Sequence, residues 1–404
     1  MKKYNLVFFP FHDFDKWEKE GYRTRDAHLF TKLSERNDIN KILIINRPES
    51  GIERIIKPKN KIKKDVEISR NNRCILNEFK KDIYILDFKT YDIIKPLIQK
   101  RNWWVTAYAN HSLNQEIIKS IKKLNMEEDI IIYSNVVINW EAVKNIKDYF
   151  NNVKFVFDIV DDQTQISKNS RYIASIKKGY KLNSNQSDVL ISTSKNVSHL
   201  TSRNITEISN GVNVDHFRKH IYSNTRNKLG FSSDDKIVFY IGKIHERIDF
   251  DIVESALKKY PRYKFVFCGP ILGKNKFKNL TKKYEHLYWY GDVHYNDIPK
   301  FISIADVCII PHKLNELTKT QSPLKLLEYI SCGKPVVTTN INGVSGDLSK
   351  LVSITNNNED FIHAIGKEID KKTVINYDFP FEYTWEAKVQ EIMDCIKEVK
   401  VDIK

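Results

Sequence analysis

The sequence predicts an α/β protein made of two doubly wound parallel-sheet domains followed by an amphipathic C-terminal helix. Three observations support this fold class. The strand-like segments are apolar on consecutive residues, as expected of parallel strands that are covered on both faces. Helix-like segments separate these strands. The strand–helix alternation also runs through the chain as two successive series. We therefore predict domains at 1–210 and 211–381, with 382–404 forming the terminal helix.

The individual elements follow from these patterns. Predicted strands of the first series lie at 5–9, 41–46, 82–88, 129–134, 153–158 and 188–193. Predicted helices between them lie at 25–36, 116–124 and 140–150. The second series has predicted strands at 236–242, 263–269, 306–311, 335–339 and 351–355. The junction between the two series falls near 209–217, where Asn210–Gly211 is a turn signal.

Composition excludes several classes of protein. The chain has 404 residues, of which 41% are hydrophobic, and no stretch reaches the ~18–20 continuous apolar residues of a membrane span. The N-terminus turns acidic after a short apolar run and lacks a cleavage site for a signal peptide. Five scattered cysteines and eleven histidines show no metal-ligand spacing. We therefore expect a cytoplasmic protein without disulfides, a structural metal or a bound cofactor.

The positive charge is concentrated in the first half of the chain. Residues 1–212 contain 37 Lys and Arg against 26 Asp and Glu, a net +11, whereas the remainder carries 29 against 25, a net +4. The densest basic stretch is 54–73. It is either a solvated loop or a face that meets a membrane surface, a phosphorylated lipid, an acidic glycan or nucleic acid. We find no DNA-binding motif, so nucleic acid is not an expected partner.

The segment SPLKLLEYISCGKPVV, at 322–337, predicts a helix over 323–332 that leads into a strand. Ser322 suits the N-cap, Pro323 suits the first helical position, and Gly333 suits the position after the C-cap. Lys325 and Glu328 share one face of this helix. Taken alone, the two residues are either a surface ion pair or a ligand-binding pair at a helix N-terminus.

Glycines also follow three other predicted strands or loops of the second domain, at Gly242, Gly269 and Gly291. A glycine at a strand end permits close approach of the backbone to a ligand. Lys243 and Arg247 follow the first of them and can bind phosphates. Because ligands of doubly wound sheets bind at the carboxyl ends of the strands, these positions are candidate binding residues.

The segments YIGKIHERID, YKFVFCGP, YGDVHYNDIPKFISIAD and ADVCIIPHKLNELTKTQSPLKLLEYISCGKPVVTT together resemble the donor-binding half of group 1 glycosyltransferases, which have the GT-B fold. The branch that contains teichuronic-acid, capsule and exopolysaccharide enzymes is the most similar. The resemblance covers most of 205–399 and is specific within 236–340. It implies that each of the two domains is Rossmann-like, that they face a central cleft, and that the terminal helix crosses back onto the first domain.

This resemblance assigns roles to the second domain. Glu328 is expected to bind the ribose of a nucleotide-sugar, and 291–295, including His294 and Tyr295, to pass near the base. The residues expected around the diphosphate, together with Gly269 at the next strand end, are Gly242, Lys243, Arg247, Ser322, Pro323, Leu324 and Lys325. Thr318 and Lys319 are expected to face the sugar. Many retaining relatives carry a glutamate at the position of Thr320, so stereochemistry does not carry over to this chain.

Candidate residues of the first domain follow two of its strands. Asp158, Asp161 and Asp162 lie at the end of one strand. In some inverting relatives an aspartate at such a place deprotonates the acceptor, so Asp161 or Asp162 is the expected catalytic base; the alternative is that these residues cap the strand end. The segment 12–29 resembles an acceptor-side loop and helix, in which Arg23, Arg25 and His28 can reach an anionic acceptor or the donor phosphate. Trp103–Trp104 is either a platform for a sugar or lipid or part of the core.

These inferences predict a metal-independent glycosyltransferase that moves a sugar from a nucleotide-diphosphate sugar, with UDP-sugars favoured, to a cell-envelope glycan or lipid-linked oligosaccharide. The basic first domain is expected to meet the acceptor and can also associate with the inner face of an anionic cell membrane. Two alternatives stay open. The chain can modify protein or DNA, or it can bind nucleotide-sugars without catalysis.

Overall fold

The computed structural model describes residues 2–56, 66–165, 167–218, 224–315, 318, 322–341, 346–371 and 378–399. The chain divides into two compact units, Met1–Ile208 with Val389–Lys404, and Ser209–Lys388. The observed division after Ile208 lies close to the predicted one after 210. The second division falls inside the terminal helix, so this helix begins in the second unit and ends in the first.

The first unit contains a nine-stranded sheet of order β3-β4-β5-β2-β1-β6-β7-β8-β9. Its strands are Tyr4–Phe9 (β1), Ile39–Ile45 (β2), Val66–Arg70 (β3), Cys74–Lys80 (β4), Ile83–Phe88 (β5), Ile130–Ser134 (β6), Val153–Ile159 (β7), Val189–Ser192 (β8) and Thr206–Glu207 (β9). All neighbouring strands pair in parallel except β3 with β4 and β4 with β5. The sequence pattern missed this antiparallel edge, which a turn at Asn71 makes by accepting hydrogen bonds from the backbone of Arg73 and Cys74.

Helices connect the parallel strands of the first unit. They are Phe14–Glu20 (α1), Arg25–Ser34 (α2), Gly51–Ile56 (α3), Ile94–Gln99 (α4), Trp103–Tyr108 (α5), His111–Lys123 (α6), Trp140–Tyr149 (α7) and Ser170–Gln186 (α8). Asparagine side chains cap α6 and α8: Asn110 accepts from two backbone N–H groups of the first turn, and Asn169 from one. The helices predicted at 25–36, 116–124 and 140–150 are observed as α2, α6 and α7.

The second unit contains a six-stranded parallel sheet of order β12-β11-β10-β13-β14-β15. Its strands are Ile237–Ile241 (β10), Lys264–Cys268 (β11), Leu287–Trp289 (β12), Val307–Ile310 (β13), Val336–Thr339 (β14) and Val352–Thr355 (β15). Its helices are Val214–Arg218 (α9), Thr225–Lys228 (α10), Phe250–Lys259 (α11), Phe277–Lys283 (α12), Ile298–Ser303 (α13), Leu324–Ser331 (α14), Asn358–Lys371 (α15) and Trp385–Glu398 (α16). All five predicted strands are observed, and only the three-residue β12 was missed.

The central strands are buried along their whole length. Every residue of β1, β6, β7 and β10 is buried, and apolar clusters cover both faces of the second sheet. This two-sided burial is the physical reason why consecutive residues in these strands are apolar. The carboxyl ends of the strands are thereby left as the places where polar side chains can be presented.

The terminal helix α16 ends on the first unit. The Arg36 guanidinium donates to the Gln390 side chain at 3.0 Å, and the Lys154 ammonium donates to the carbonyl of Ile396 at 2.7 Å. Lys397 and Asp38 form an ion pair at 3.5 Å. Among the described residues, no helix is both long and apolar enough to span a bilayer.

Candidate functional site

Two glycines bring the ends of β10 and β11 into close contact. Gly242 and Gly269 both have left-handed φ angles, 131° and 132°, which side chains other than glycine rarely adopt. A Cβ on Gly269 would lie 2.0 Å from the carbonyl oxygen of Gly242. A Cβ on Gly242 would lie 2.7 Å from the Lys325 ammonium nitrogen. The glycines therefore make room for Lys325 at the carboxyl edge of the sheet.

The helix α14 that carries Lys325 begins one residue later than predicted. Pro323 occupies the N-cap with an extended backbone, and no side chain caps the helix. The prediction that Ser322 is the N-cap is therefore wrong; instead, its carbonyl oxygen accepts a hydrogen bond from the Asn210 side chain at 2.7 Å. Gly333 has a φ of 70° directly after the C-cap, as predicted.

Lys325 has an unusual environment for a cation. Its ammonium donates to the Tyr240 hydroxyl at 2.9 Å and lies 4.2 Å from the centre of the same ring. Burial and the nearby charge of Arg247 hold the pKa of Lys325 well below its usual range, although Glu328 acts in the opposite direction. Keeping Lys325 charged in this environment therefore costs free energy in the unliganded protein. A bound anion would stabilise that charge.

Four further basic residues lie close enough to Lys325, or to each other, to shift each other's pKa values. Together with it, they form what we name the cationic cluster: Lys243, His245, Arg247, His312 and Lys325. Backbone hydrogen bonds hold the two loops that carry them side by side, from Lys313 to the carbonyl of Arg247 and from Asp249 to the carbonyl of Pro311, both at 2.8 Å. The cluster lies at the carboxyl ends of β10 and β13.

The two histidines of the cationic cluster have lowered pKa values, partly because of the positive charge around them. Burial, together with Arg247, Lys325 and Lys243, lowers the pKa of His245 to about 4. Burial, Lys325, Arg247 and His245 lower the pKa of His312 well below its ordinary value. The His312 Nε2 atom is buried and has no hydrogen-bond partner among the described residues. Sequence reasoning missed both histidines, although each one closely follows a predicted strand.

Glu328 lies one helical turn after Lys325 and is 8% exposed. Burial and the Glu328 carboxylate both raise the pKa of Tyr295, which places that carboxylate near the tyrosine. The Tyr295 ring stacks on the His216 imidazole with centroids 4.4 Å apart and planes within 9° of parallel. The structure thus groups an acidic residue and an aromatic pair beside the cationic cluster. His216 is a further residue that the sequence did not single out.

The remaining predicted residues of the second unit have structural partners. Gly291 has a φ of 70°, and its carbonyl oxygen accepts from the backbone of Gly269. The His294 ring accepts a hydrogen bond from the Asn296 backbone at 3.3 Å, so it caps a short turn. Thr318 is 2% exposed and donates its hydroxyl to the Lys313 carbonyl, which corrects the expectation that it faces the sugar. Lys319 and Thr320 lie outside the described residues.

Arg25 is not available to an acceptor, contrary to the prediction. Its Nε atom lies 2.9 Å from an Asp158 carboxylate oxygen, with both side chains at most 3% exposed. Tyr133 and Asn135 donate to the same carboxylate at 2.6 and 3.0 Å. A buried charge that is fully paired in this way has a structural role, because removing either partner leaves the other uncompensated.

The aspartates that follow β7 have structural contacts too. Burial acts to raise the pKa of Asp162, but hydrogen bonds from Thr164, Gln165 and His199 outweigh it and hold that pKa below its usual range. A carboxylate stabilised in this way accepts protons poorly, which argues against the predicted catalytic role of Asp162. The Asp161 backbone carbonyl accepts from the Tyr180 hydroxyl at 2.7 Å.

The other two acceptor-side candidates lie on or before α2. Arg23 forms an ion pair with Glu20 at 3.0 Å. His28 is 8% exposed, and its backbone N–H bonds to the Thr24 carbonyl in the first turn of the helix. The acceptor-side role of these two side chains stays a prediction.

A cavity of about 530 Å³ in the first unit has a lining that suits a polar ligand. The carboxyl ends of β1 and β6 lead into it, and its polar lining includes Lys16, Arg47, Glu53 and Arg101. The Arg47 guanidinium lies 4.4 Å from the centre of the Trp104 ring and 3.0 Å from Glu53. The Trp104 indole N–H is buried without a partner among the described residues. Of the two predicted tryptophans, only Trp104 lines the cavity; Trp103 is core.

His12 also lines this cavity and is backed by a buried carboxylate. Its Nδ1 atom lies 3.5 Å from an Asp26 oxygen, and the Trp17 indole donates to Asp26 at 3.2 Å. Burial acts to raise the pKa of Asp26, but the His12 imidazole and hydrogen bonds lower it to about 2. Asp26 is therefore ionised and can orient His12. The sequence reasoning included this segment but selected Arg23, Arg25 and His28 from it.

Comparison with known proteins shows what the second unit is similar to. The family model for group 1 glycosyl transferases matches residues 222–370. The matched region makes up most of the second unit and less than half of the chain. The chain is also 28% identical over 140 residues to a Bacillus subtilis protein named as a teichuronic acid biosynthesis glycosyltransferase, TuaH. That match covers 34% of this chain and 35% of TuaH, so the aligned region spans about a third of the curated relative.

Solved structures establish the fold over nearly the whole chain. A sucrose-phosphate synthase from Thermosynechococcus elongatus aligns with a TM-score of 0.66 and 12% identity, covering 98% of this chain and 99% of that one. The catalytic domain of starch synthase IV from Arabidopsis thaliana aligns at 0.69 and 9%, with 99% of both chains covered. Anabaena HepE in complex with UDP and glucose aligns at 0.62 and 13%, covering 97% and 99%. The fold is GT-B.

Proposed function

We propose that this protein transfers a sugar from a nucleoside-diphosphate sugar to a hydroxyl group of a cell-envelope glycan or a lipid-linked oligosaccharide. The observation that carries the donor part is the cationic cluster, because its positive charge lowers the pKa values of Lys325 and both histidines, and an anion would relieve that repulsion. The family match over 222–370 supports the same reading. The name of the partly aligned relative TuaH supports a cell-envelope acceptor.

In the proposed reaction the cationic cluster binds the diphosphate, which is also the leaving group. The bond between the anomeric carbon and the diphosphate oxygen breaks, and its electron pair stays on the diphosphate. Lys325 and Arg247 stabilise that developing charge. The acceptor oxygen bonds to the anomeric carbon and gives its proton to a base. Because protein cations supply the charge, the proposal includes no metal ion.

We propose His12 as that base, in place of Asp161 or Asp162. Its ring lines the first-unit cavity and is oriented by an ionised Asp26. An imidazole that a carboxylate orients is a common general base for a hydroxyl group. The cations Lys16, Arg47 and Arg101 in the same cavity fit an acceptor that bears a phosphate or carboxylate.

A donor screen tests the proposed function. The purified chain is incubated in EDTA with UDP-, GDP- and dTDP-sugars, and release of the nucleoside diphosphate is measured with and without a glycan acceptor. We expect release from a UDP-sugar, accelerated by an acceptor. Failure to release nucleotide from any donor, also after divalent metal is added back, would contradict the proposal. Activity only with added metal would contradict its metal-independent form.

The proposed role of Glu328 is to bind the ribose diol, and it predicts a specific loss. Glu328→Gln should weaken UDP binding by about 10- to 100-fold, because a charged hydrogen-bond acceptor is lost. Wild type should bind UDP more tightly than 2′-deoxy-UDP, and the variant should discriminate much less between them. Isothermal titration measures both affinities. Glu359→Gln, on the distant helix α15, is the matched control, and equal discrimination in Glu328→Gln would contradict the assignment.

The pKa of His245 predicts how stability depends on pH. Its pKa is about 4 in the folded protein, against an ordinary value of 6.5. Between these values the unfolded chain binds the additional proton, so stability is present above pH 6.5 and falls as the pH decreases towards 4. The thermal midpoint should therefore decline less for His245→Asn than for wild type between pH 7 and pH 5. Identical pH profiles of the thermal midpoint for the two proteins would contradict the lowered pKa of His245.

A further inference from the structure

Two short helices of the first unit, α3 and α4, have no buried residue. A helix on the surface of a globular protein ordinarily buries one apolar face against the core. Here the apolar side chains point away from it. Five of them are between 57% and 75% exposed, namely Ile55, Ile56, Ile94, Leu97 and Ile98. We name this set the aliphatic patch.

The spacing of these residues gives each helix an apolar face. Ile94, Leu97 and Ile98 follow the i, i+3, i+4 pattern that places side chains on one side of a helix. Ile55 and Ile56 end α3. The two helices begin next to each other, because the Gly51 backbone N–H bonds to the Asp92 carbonyl at 3.0 Å. A Cβ on Gly51 would also lie 3.2 Å from the Ile93 side chain.

Basic residues surround the aliphatic patch. Arg54, Lys95, Lys100 and Arg101 are all exposed. Of the nearby acids, Glu53 pairs with Arg47 at 3.0 Å, and Asp92 accepts from the Trp103 indole at 3.0 Å. The described part of this surface thus combines exposed aliphatic side chains with an excess of positive charge.

We propose that the aliphatic patch docks the first unit on the surface of an anionic lipid bilayer. Aliphatic side chains that enter the interface while Lys and Arg meet anionic headgroups are the two components of interfacial membrane binding. The charge excess is what favours a bilayer over a second copy of this chain, because two such faces would repel each other.

The position of the patch also connects it with the acceptor. Arg101 lies two residues after the end of α4 and lines the first-unit cavity, together with Glu53 of α3. A bilayer at the patch would therefore lie beside the cavity. This arrangement suits an acceptor whose sugar and phosphate enter the cavity while its lipid stays in the membrane. That last step rests on the proposed function, whereas docking itself does not.

Flotation of the full chain with vesicles tests the proposal. We expect binding to vesicles of phosphatidylcholine with 30% phosphatidylglycerol, weak binding to phosphatidylcholine alone, and a decrease at high salt. Ile94→Glu combined with Ile98→Glu should lower binding to the anionic vesicles at least tenfold. The matched control, Leu272→Glu with Phe381→Glu, changes two exposed apolar residues of the second unit and should bind like wild type.

Three outcomes would overturn the proposal. They are absence of wild-type binding to anionic vesicles, unchanged binding of the Ile94/Ile98 variant, and a dimer on size-exclusion chromatography that the same variant dissociates. Donor hydrolysis in solution, measured on the same samples, separates this proposal from the proposed function. The patch variant should keep wild-type hydrolysis, and loss of docking with intact hydrolysis is the expected pair of results.

Discussion

Lys325→Ala should lower kcat/KM for the nucleotide-sugar by about 10²- to 10³-fold, as expected when a preorganised cation at the leaving group is removed. The same substitution should leave the thermal midpoint unchanged or raise it. At neutral pH the fold disfavours the charge of Lys325, whose pKa burial and Arg247 hold well below its usual value. Steady-state kinetics and thermal unfolding of one preparation measure both effects.

The second unit provides a matched control in Lys334. Burial also lowers the pKa of this lysine, but its ammonium donates to the carbonyls of Ser303 and Ala305 at 2.7 and 2.8 Å. Lys334→Ala should therefore lower stability and leave kcat/KM of the folded protein within a few-fold of wild type. If Lys334→Ala lowers kcat/KM as much as Lys325→Ala does, or more, the assignment of Lys325 to the diphosphate is contradicted.

His12→Gln should lower kcat for transfer by about 10²- to 10⁴-fold, the usual contribution of a general base. The binding affinity for UDP should be unchanged, because His12 lies in the first unit and is proposed to act only on the acceptor. The measurement is single-turnover transfer at saturating donor, together with titration of UDP.

Asp162→Asn is the matched control for His12. Asp162 follows β7 and accepts hydrogen bonds from Thr164 at 2.9 and 2.6 Å, so its replacement should affect the local turn more than the chemistry. If Asp162→Asn abolishes transfer while His12→Gln does not, the base is among the aspartates that the sequence originally indicated.

The sequence predicted the local geometry of the second-unit candidate site well, because its signals are local. The left-handed backbone at positions 242 and 269 requires glycine, so the residue type alone indicates this geometry. The spacing of Lys325 and Glu328 likewise predicts that they share a helix face. The helix start was displaced by one residue, because Pro323 rather than Ser322 ends the extended segment. His245 and His312 were missed because their proximity depends on the pairing of two loops.

The surroundings of the first-unit candidate residues were predicted poorly, because their contacts are distant in sequence. Arg25 is selected by its position after β1, but its partner Asp158 lies 133 residues away. The cavity that His12, Arg47 and Trp104 line depends on how several loops meet at one end of the sheet. The aliphatic patch was also missed, since apolar residues at helical spacing ordinarily indicate a buried face.

Isothermal titration of UDP, GDP and dTDP into the wild-type chain and Lys325→Ala tests the central claim most directly. We expect saturable binding of a nucleoside diphosphate, with UDP preferred, in EDTA-containing buffer. Binding should weaken at least tenfold in Lys325→Ala while the thermal midpoint is retained. If none of the three nucleotides binds the folded wild-type protein, or if Lys325→Ala binds as tightly as wild type, the cationic cluster is not a diphosphate site.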